Sequence, residues 1–148
     1  MANIAIASDH AGFALKSELV AELGRLGHTA LDFGPTDTSS VDYPDFATRV
    51  TAAINEGKAP LGVLVCGTGI GMSISANKVH GIRAALCHTE FEARVTRQHN
   101  DANVLCLGQR VTGVGVALEI LKVFLSASFE GGRHANRVSK ITALEAKR

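Results

Sequence analysis

Proline and cysteine are both scarce in this chain, three of each in 148 residues. The cysteines Cys66, Cys87 and Cys106 make an odd number with no CxxC pair. That pattern argues against a disulfide framework or a zinc site and points to a reducing cytosol. A charge excess is also missing: 15 Lys and Arg stand against 14 Asp and Glu, a formal charge of +1. Such a balance does not coat nucleic acid or an anionic membrane by bulk electrostatics. No apolar run approaches the roughly 20 residues of a membrane span, and MANIAIASDH lacks a basic stretch followed by a long apolar one. The expectation is a soluble, unexported, cytoplasmic protein with neither nucleic acid nor membrane as partner. Glycine, at 15 residues, is abundant. With so little proline, it reads as tight strand-to-helix turns rather than linkers. The length fits one domain, 1–148, able to bury a core without staples.

Short apolar runs alternate with helical patterns from end to end. Strands are expected at NIAIAS (3–8), HTALDF (28–33), LGVLVC (61–66), IRAALC (82–87) and NVLCL (103–107). Each is apolar at most positions, as suits strands covered on both faces. Leu15, Leu19, Leu23 and Leu26 form one helical stripe, with Lys16, Glu18, Glu22 and Arg25 off it. Pro44 opens a second helix carrying Phe46, Val50 and Ile54. Val114, Leu118, Leu121 and Leu125 mark another over 114–129, and Val138, Ile141 and Leu144 a thinner stripe from Arg133 onward. Strands alternating with helices predict a parallel sheet with right-handed crossovers, an α/β doubly wound domain. The one long polar loop is GPTDTSSVDY, 34–43.

Open parallel sheets bind ligands beyond the carboxyl ends of their strands. That rule selects Asp9 and His10 after the first strand, Cys66 and Gly67-Thr68-Gly69-Ile70-Gly71 after the third, His88 after the fourth, and Gln109 and Arg110 after the fifth. Glycines at 67, 69 and 71 let the backbone turn sharply and converge several N–H groups. A helix starting near Ile70 adds its positive end, which favours an anion. The segment is neither a phosphate loop ending in Gly-Lys-Ser/Thr nor a full GxGxxG. A bare glycine turn closing a strand is the plainer alternative. Cys66 ends its strand directly before those N–H groups, a setting that favours a thiolate able to act as base or nucleophile. Space-filling is the better reading for Cys87 and Cys106, which lie inside strands. His99 and Asn100, in RQHND, are either functional or a solvated helix end. Asp9 and His10 could equally cap the first helix. Arg133 and Arg137, four apart, share a helical face and can fork a phosphate, although on spacing alone a surface face is favoured.

Together, ASDHAGF, DYPDFA, LVCGTGIGMSISANKVHGIRAA, RQHNDANVLCLGQR and EGGRHANRV resemble the ribose-5-phosphate isomerase B family, which includes galactose-6-phosphate and allose-6-phosphate isomerases. The likeness runs through the whole chain in order. It implies a Rossmann-like three-layer sandwich with a five-stranded parallel sheet and a C-terminal helix. It also implies a homodimer or homotetramer with shared active sites and cofactor-free, metal-free aldose–ketose isomerisation of a sugar phosphate. Matched by motif, Cys66 falls on the base, and the backbone of Gly67, Gly69, Ile70 and Gly71 on the loop that stabilises the enediolate. Thr68 and His99 fall on ring opening, and Asp9 and Asn100 on the hydroxyls. His10, Arg110, Arg133 and Arg137 fall on the phosphate, and Tyr43 on a pocket wall. One branch of the family uses a carboxylate just after the glycine loop; here that position is Met72, so the chain is similar to the cysteine branch.

Physical chemistry supports such a scheme. A weakly acidic C–H needs a close base and a stabilised enediolate, and ring opening at neutral pH suits an imidazole. The same chemistry on allose 6-phosphate, galactose 6-phosphate or a tetrulose phosphate is the runner-up, with loop 34–43 shaping the pocket. A catalytically silent sugar-phosphate sensor would need the arginines but not Cys66, Thr68 and His99. A dinucleotide-binding protein is disfavoured by the incomplete glycine fingerprint.

Overall fold

The computed structural model describes residues 1–147. Strand β1 (Asn3–Ser8) alternates its side chains between two cores, Ile4 and Ile6 into one, Ala5 and Ala7 into the other. The same division holds along β3 (Leu61–Cys66) and β5 (Val104–Gly108), with β2 (Thr29–Asp32) and β4 (Ala84–Leu86) completing the sheet. All pairings are parallel, in the order β2-β1-β3-β5-β4. Three helices, α1 (Phe13–Arg25), α4 (Glu90–Asn100) and α5 (Val114–Ser126), contribute to the first core. The second core is covered by α2 (Tyr43–Asn55) and α3 (Ile70–Ala76). The expected three-layer α/β sandwich is therefore what forms. A last helix, α6 (Arg133–Ala143), lies outside the layers and packs on α4.

Several local expectations need correction. Lys16 does not stay off the buried face of α1: it is buried, and its Nζ donates to Asp32 Oδ1 at 2.8 Å, Oδ2 at 2.9 Å and the Pro35 carbonyl at 2.8 Å. A flexible stem carried it inward to an acceptor cage at the end of β2. On α5 the buried set is Ala117, Ile120, Leu121 and Phe124, while Val114 is exposed. That helix is apolar on most of its circumference, so leucine spacing alone misjudged the inward face by about one position. Strand β4 is shorter than 82–87: just before it Arg83 N–H donates to Asn103 Oδ1, and at its first residue the Asn77 amide pairs with Ala84 N–H and C=O.

The loop before α2 is anchored at both ends. Pro35 is buried and held by Lys16, and Val41 N–H donates to His10 Nδ1 at 3.2 Å.

Candidate active site

In the order β2-β1-β3 the sheet switches the side on which strands are added between β1 and β3, and a cleft of about 440 Å³ opens beyond their carboxyl ends. His10, Tyr43, Cys66, Gly67, Thr68, Ile70, Gly71 and Arg110 line it. Cys66 is the last residue of β3 and is 4% exposed. Gly69 N–H donates to its sulfur at 3.1 Å. The turn that permits this needs glycine at 69, where φ is +78° and a Cβ would sit 2.5 Å from Leu86 Cδ1. Ile70 N–H donates to Thr68 Oγ1 at 3.2 Å, so the loop is self-braced before any ligand arrives. Two N–H groups of this nest are thus already engaged, one of them on the thiol itself. Helix α3 starts at Ile70, as expected, and adds only seven residues behind them, a short dipole.

Neighbouring strands fix the remaining walls. Gln109 and Arg110 donate their backbone N–H to the carbonyls of Cys66 and Gly67, both at 2.9 Å, which ties the β5 loop to the glycine loop. The Arg110 side chain is exposed and lies over Gly67, where an added Cβ would approach Nη1 at 3.4 Å. Tyr43 covers Gly71 so closely that a Cβ there would meet its ring at 2.7 Å. Asp9 is buried; its backbone N–H donates to Val65 O at 3.1 Å, and its Oδ1 accepts from Gly12 N–H at 3.1 Å. It caps the short 3-10 turn His10–Gly12 and stands beside the cleft rather than in its lining.

His99, Asn100, Arg133 and Arg137 are not in this lining. They form a second group at the end of α4 and the start of α6. Arg133, Arg137 and Asn100 are exposed, and neither arginine forms a salt bridge among the described residues. His134, which no periodic sequence pattern singles out, is 7% exposed and stacks on His99 with ring centroids 4.3 Å apart. Its signal was its place between two arginines directly after a Gly-Gly turn. His99, His134 and Glu130 bring donor atoms within 4.8 Å of one another. The imidazole planes lie 9° from parallel, so their in-plane lone pairs run side by side instead of converging on one cation.

A family profile described as ribose/galactose isomerase matches residues 4–141. The chain belongs to that isomerase family. It is 47% identical to ribose-5-phosphate isomerase B of Escherichia coli, over 100% of this chain and 99% of that one. It is 46% identical to the D-erythrulose-4-phosphate isomerase of Pectobacterium atrosepticum, over 95% and 93%. The solved structure of Clostridium thermocellum ribose-5-phosphate isomerase B superposes with a TM-score of 0.97 at 50% identity, covering 98% of each chain. The protein is therefore an aldose–ketose isomerase of the B type.

Within this isomerase the other thiols are structural. Burial pushes the Cys87 thiol up to about 12, with Glu92 adding to the shift, and burial raises Cys106 further. Both stay protonated and inert at neutral pH. Met72, which has no proton-accepting group, is fully buried in the second core, in the same cluster as Cys66. No helix among the described residues is long and apolar enough to cross a membrane.

Proposed function

We propose that this isomerase interconverts ribose 5-phosphate and ribulose 5-phosphate through an enediolate, without cofactor or metal, and that Cys66 is the base. The observation carrying this reading is the Cys66 sulfur held 3.1 Å from Gly69 N–H in the lining of an open, arginine-edged cleft. That one donor touches the sulfur and lies beside the place where the oxyanion develops during the reaction. The thiolate takes the proton from C2 of the open-chain aldose; the C–H pair becomes the C1=C2 bond and the carbonyl pair moves onto O1. A proton passes from O2 to O1, the thiol returns its proton to C1, and the ketone is left at C2. The backbone of Gly67, Gly69, Ile70 and Gly71 stabilises the charge. Tyr43 walls the pocket, Asp9 and Asn100 hold hydroxyls, and His10, Arg110, Arg133 and Arg137 hold the phosphate. His99 and Thr68 open the furanose by moving protons at the anomeric and ring oxygens.

Because His99, Asn100, Arg133 and Arg137 stand apart from the cleft of their own chain, this reading completes each site with a second subunit, in a homodimer or a tetramer of such pairs. Exposed apolar residues support it: Ile70 and Ile74 beside the cleft, and Ile141 and Leu144 on and just beyond α6. Three free thiols fit a cytoplasmic setting. A second reading, a tetrulose phosphate as substrate, is favoured by the Pectobacterium relative.

The test is a panel of phosphorylated aldoses of four to six carbons, with deuterium exchange from solvent followed beside turnover. Ribose 5-phosphate should give the highest kcat/KM. Cys66→Ala should lose both turnover and exchange by about 10²–10⁴-fold while still binding sugar phosphate. Exchange at near wild-type rate in that variant would place the base elsewhere.

A further inference from the structure

We infer that His134 is a positioning residue for His99, holding the plane of its ring so that the ring edges face the sugar in one fixed attitude. This rests on the ring-opening role proposed above for His99. The first observation is the stack: centroids 4.3 Å apart and planes 9° from parallel. Both imidazole nitrogens lie in the ring plane, so a partner on the face fixes direction without blocking proton exchange at the edge. The second is burial. His134 is 7% exposed, whereas Arg133 and Arg137 on the same helix are exposed, so His134 is the residue α6 commits to α4. The third is the local chain path. Glu130 N–H donates to Gln98 O at 3.0 Å, immediately before His99. Gly131 and Gly132 then take φ of +66° and +55°, with no atom near enough to restrict a side chain, so conformation alone requires glycine there. His134 N–H closes the turn on Gly131 O at 3.0 Å. The end of α4 and the start of α6 are therefore joined by a backbone bond and a ring stack, and Asn100, Arg133 and Arg137 ride on the same joint.

Charge assigns different parts to the two rings. Burial first, then the facing His99, Arg133 and Arg137, lower the proton affinity of His134; Glu130, with Oε2 3.6 Å from Nε2, opposes them. The inner ring stays neutral at neutral pH, and a neutral ring can lie flat on a partner that gains and loses a proton.

The experiment compares His134→Ala and His134→Phe with wild type in two reactions. Turnover of ribose 5-phosphate requires a furanose to open. Deuterium exchange at C1 of ribulose 5-phosphate does not, because its phosphorylated O5 cannot close that ring. His134→Ala should lower kcat/KM for ribose 5-phosphate by about 10- to 100-fold, the scale of a misplacement near 1 Å, and change exchange by less than threefold. His134→Phe keeps the stack without a titrating group and should restore turnover to within threefold of wild type. By NMR, the carbon-bound imidazole protons of His99 should lose an upfield ring-current shift in His134→Ala and keep one in His134→Phe. Equal losses in both reactions, no loss in either, a folded His134→Phe as poor as His134→Ala, or no ring-current shift in wild type would each overturn the inference. If wild type itself neither turns over ribose 5-phosphate nor exchanges ribulose 5-phosphate, the proposed function fails and the inference goes with it. An active wild type with an indifferent His134→Ala sinks the inference alone.

Discussion

Gly108→Ala places one methyl group where the loop 67–71 has no room for it. Gly108 ends β5 beside Cys66, and a Cβ there would lie 2.4 Å from the Thr68 carbonyl carbon, 2.5 Å from its oxygen and 2.7 Å from its Cα. Carbon atoms rest at about 3.5–4.0 Å, so the Thr68 main chain must withdraw by about 1 Å. Thr68 leads directly into Gly69, whose N–H donates to Cys66 Sγ. A shift of that size, or loss of one oxyanion donor, costs about 10²-fold in kcat. Overpacking of this kind lowers stability by about 1–3 kcal/mol, or roughly 2–12 °C in melting temperature for a chain of this length. The assay is steady-state isomerisation together with a thermal melt. Gly115→Ala on α5, which meets nothing within 4 Å, serves as control and should leave kcat unchanged. A folded Gly108→Ala enzyme with kcat within threefold of wild type would refute the claim that this loop is held to sub-ångström tolerance.

Inactive Cys66→Ala and His99→Asn proteins, mixed under conditions that exchange subunits, should recover roughly a quarter of wild-type activity. Random pairing makes about half the dimers mixed, each with one intact site; no recovery after mass spectrometry has shown exchange would place both residues in one chain. An iodoacetamide time course at pH 8 should modify Cys66 and leave Cys87 and Cys106 untouched until the protein unfolds. Since the Cys87 thiol ionises near 9 unfolded and about 12 folded, stability should hold below pH 9 and fall as pH rises from there toward 12. Modification of Cys87 in the native protein at pH 8 would contradict its burial. Lys16→Met keeps the apolar stem but takes the donor from the buried Pro35 carbonyl and the cation from Asp32, which keeps Gly34 N–H; a urea titration should show a loss of about 1–3 kcal/mol, and no shift in midpoint would mean the cage is idle.

The sheet is legible because β1 and β3 are largely apolar runs ended by glycine-rich or polar turns, and the strand-end rule selects Cys66, the glycine loop and Arg110, which line the cleft. What the sequence hid was relational. Helix α4 is polar along most of its length, so only its charged end stands out in the sequence, although Thr89 and Glu92 form a capping box at its start. Lys16 looked solvent-facing by periodicity because nothing in the stripe announces an acceptor cage on β2. His134 escaped because its role depends on a ring in α4, and stacking across two elements leaves no periodic trace. His99 and the two arginines could be named by motif, but their separation from the cleft emerged only from the packing of α6 on α4.

The bond from Val41 N–H to His10 Nδ1 bears on how the loop before α2 can drift in sequence. An amide N–H can only donate, so Nδ1 accepts and the remaining ring proton sits on Nε2. The group that dictates this tautomer is main chain, common to every residue type except proline. Exposed side chains along 36–40 can therefore change without His10 registering it, whereas Val41 also packs on the second core. Proline at position 41, or an insertion that moves that amide, would reach the histidine at once. The loop can vary in sequence while the His10 imidazole keeps the same donor.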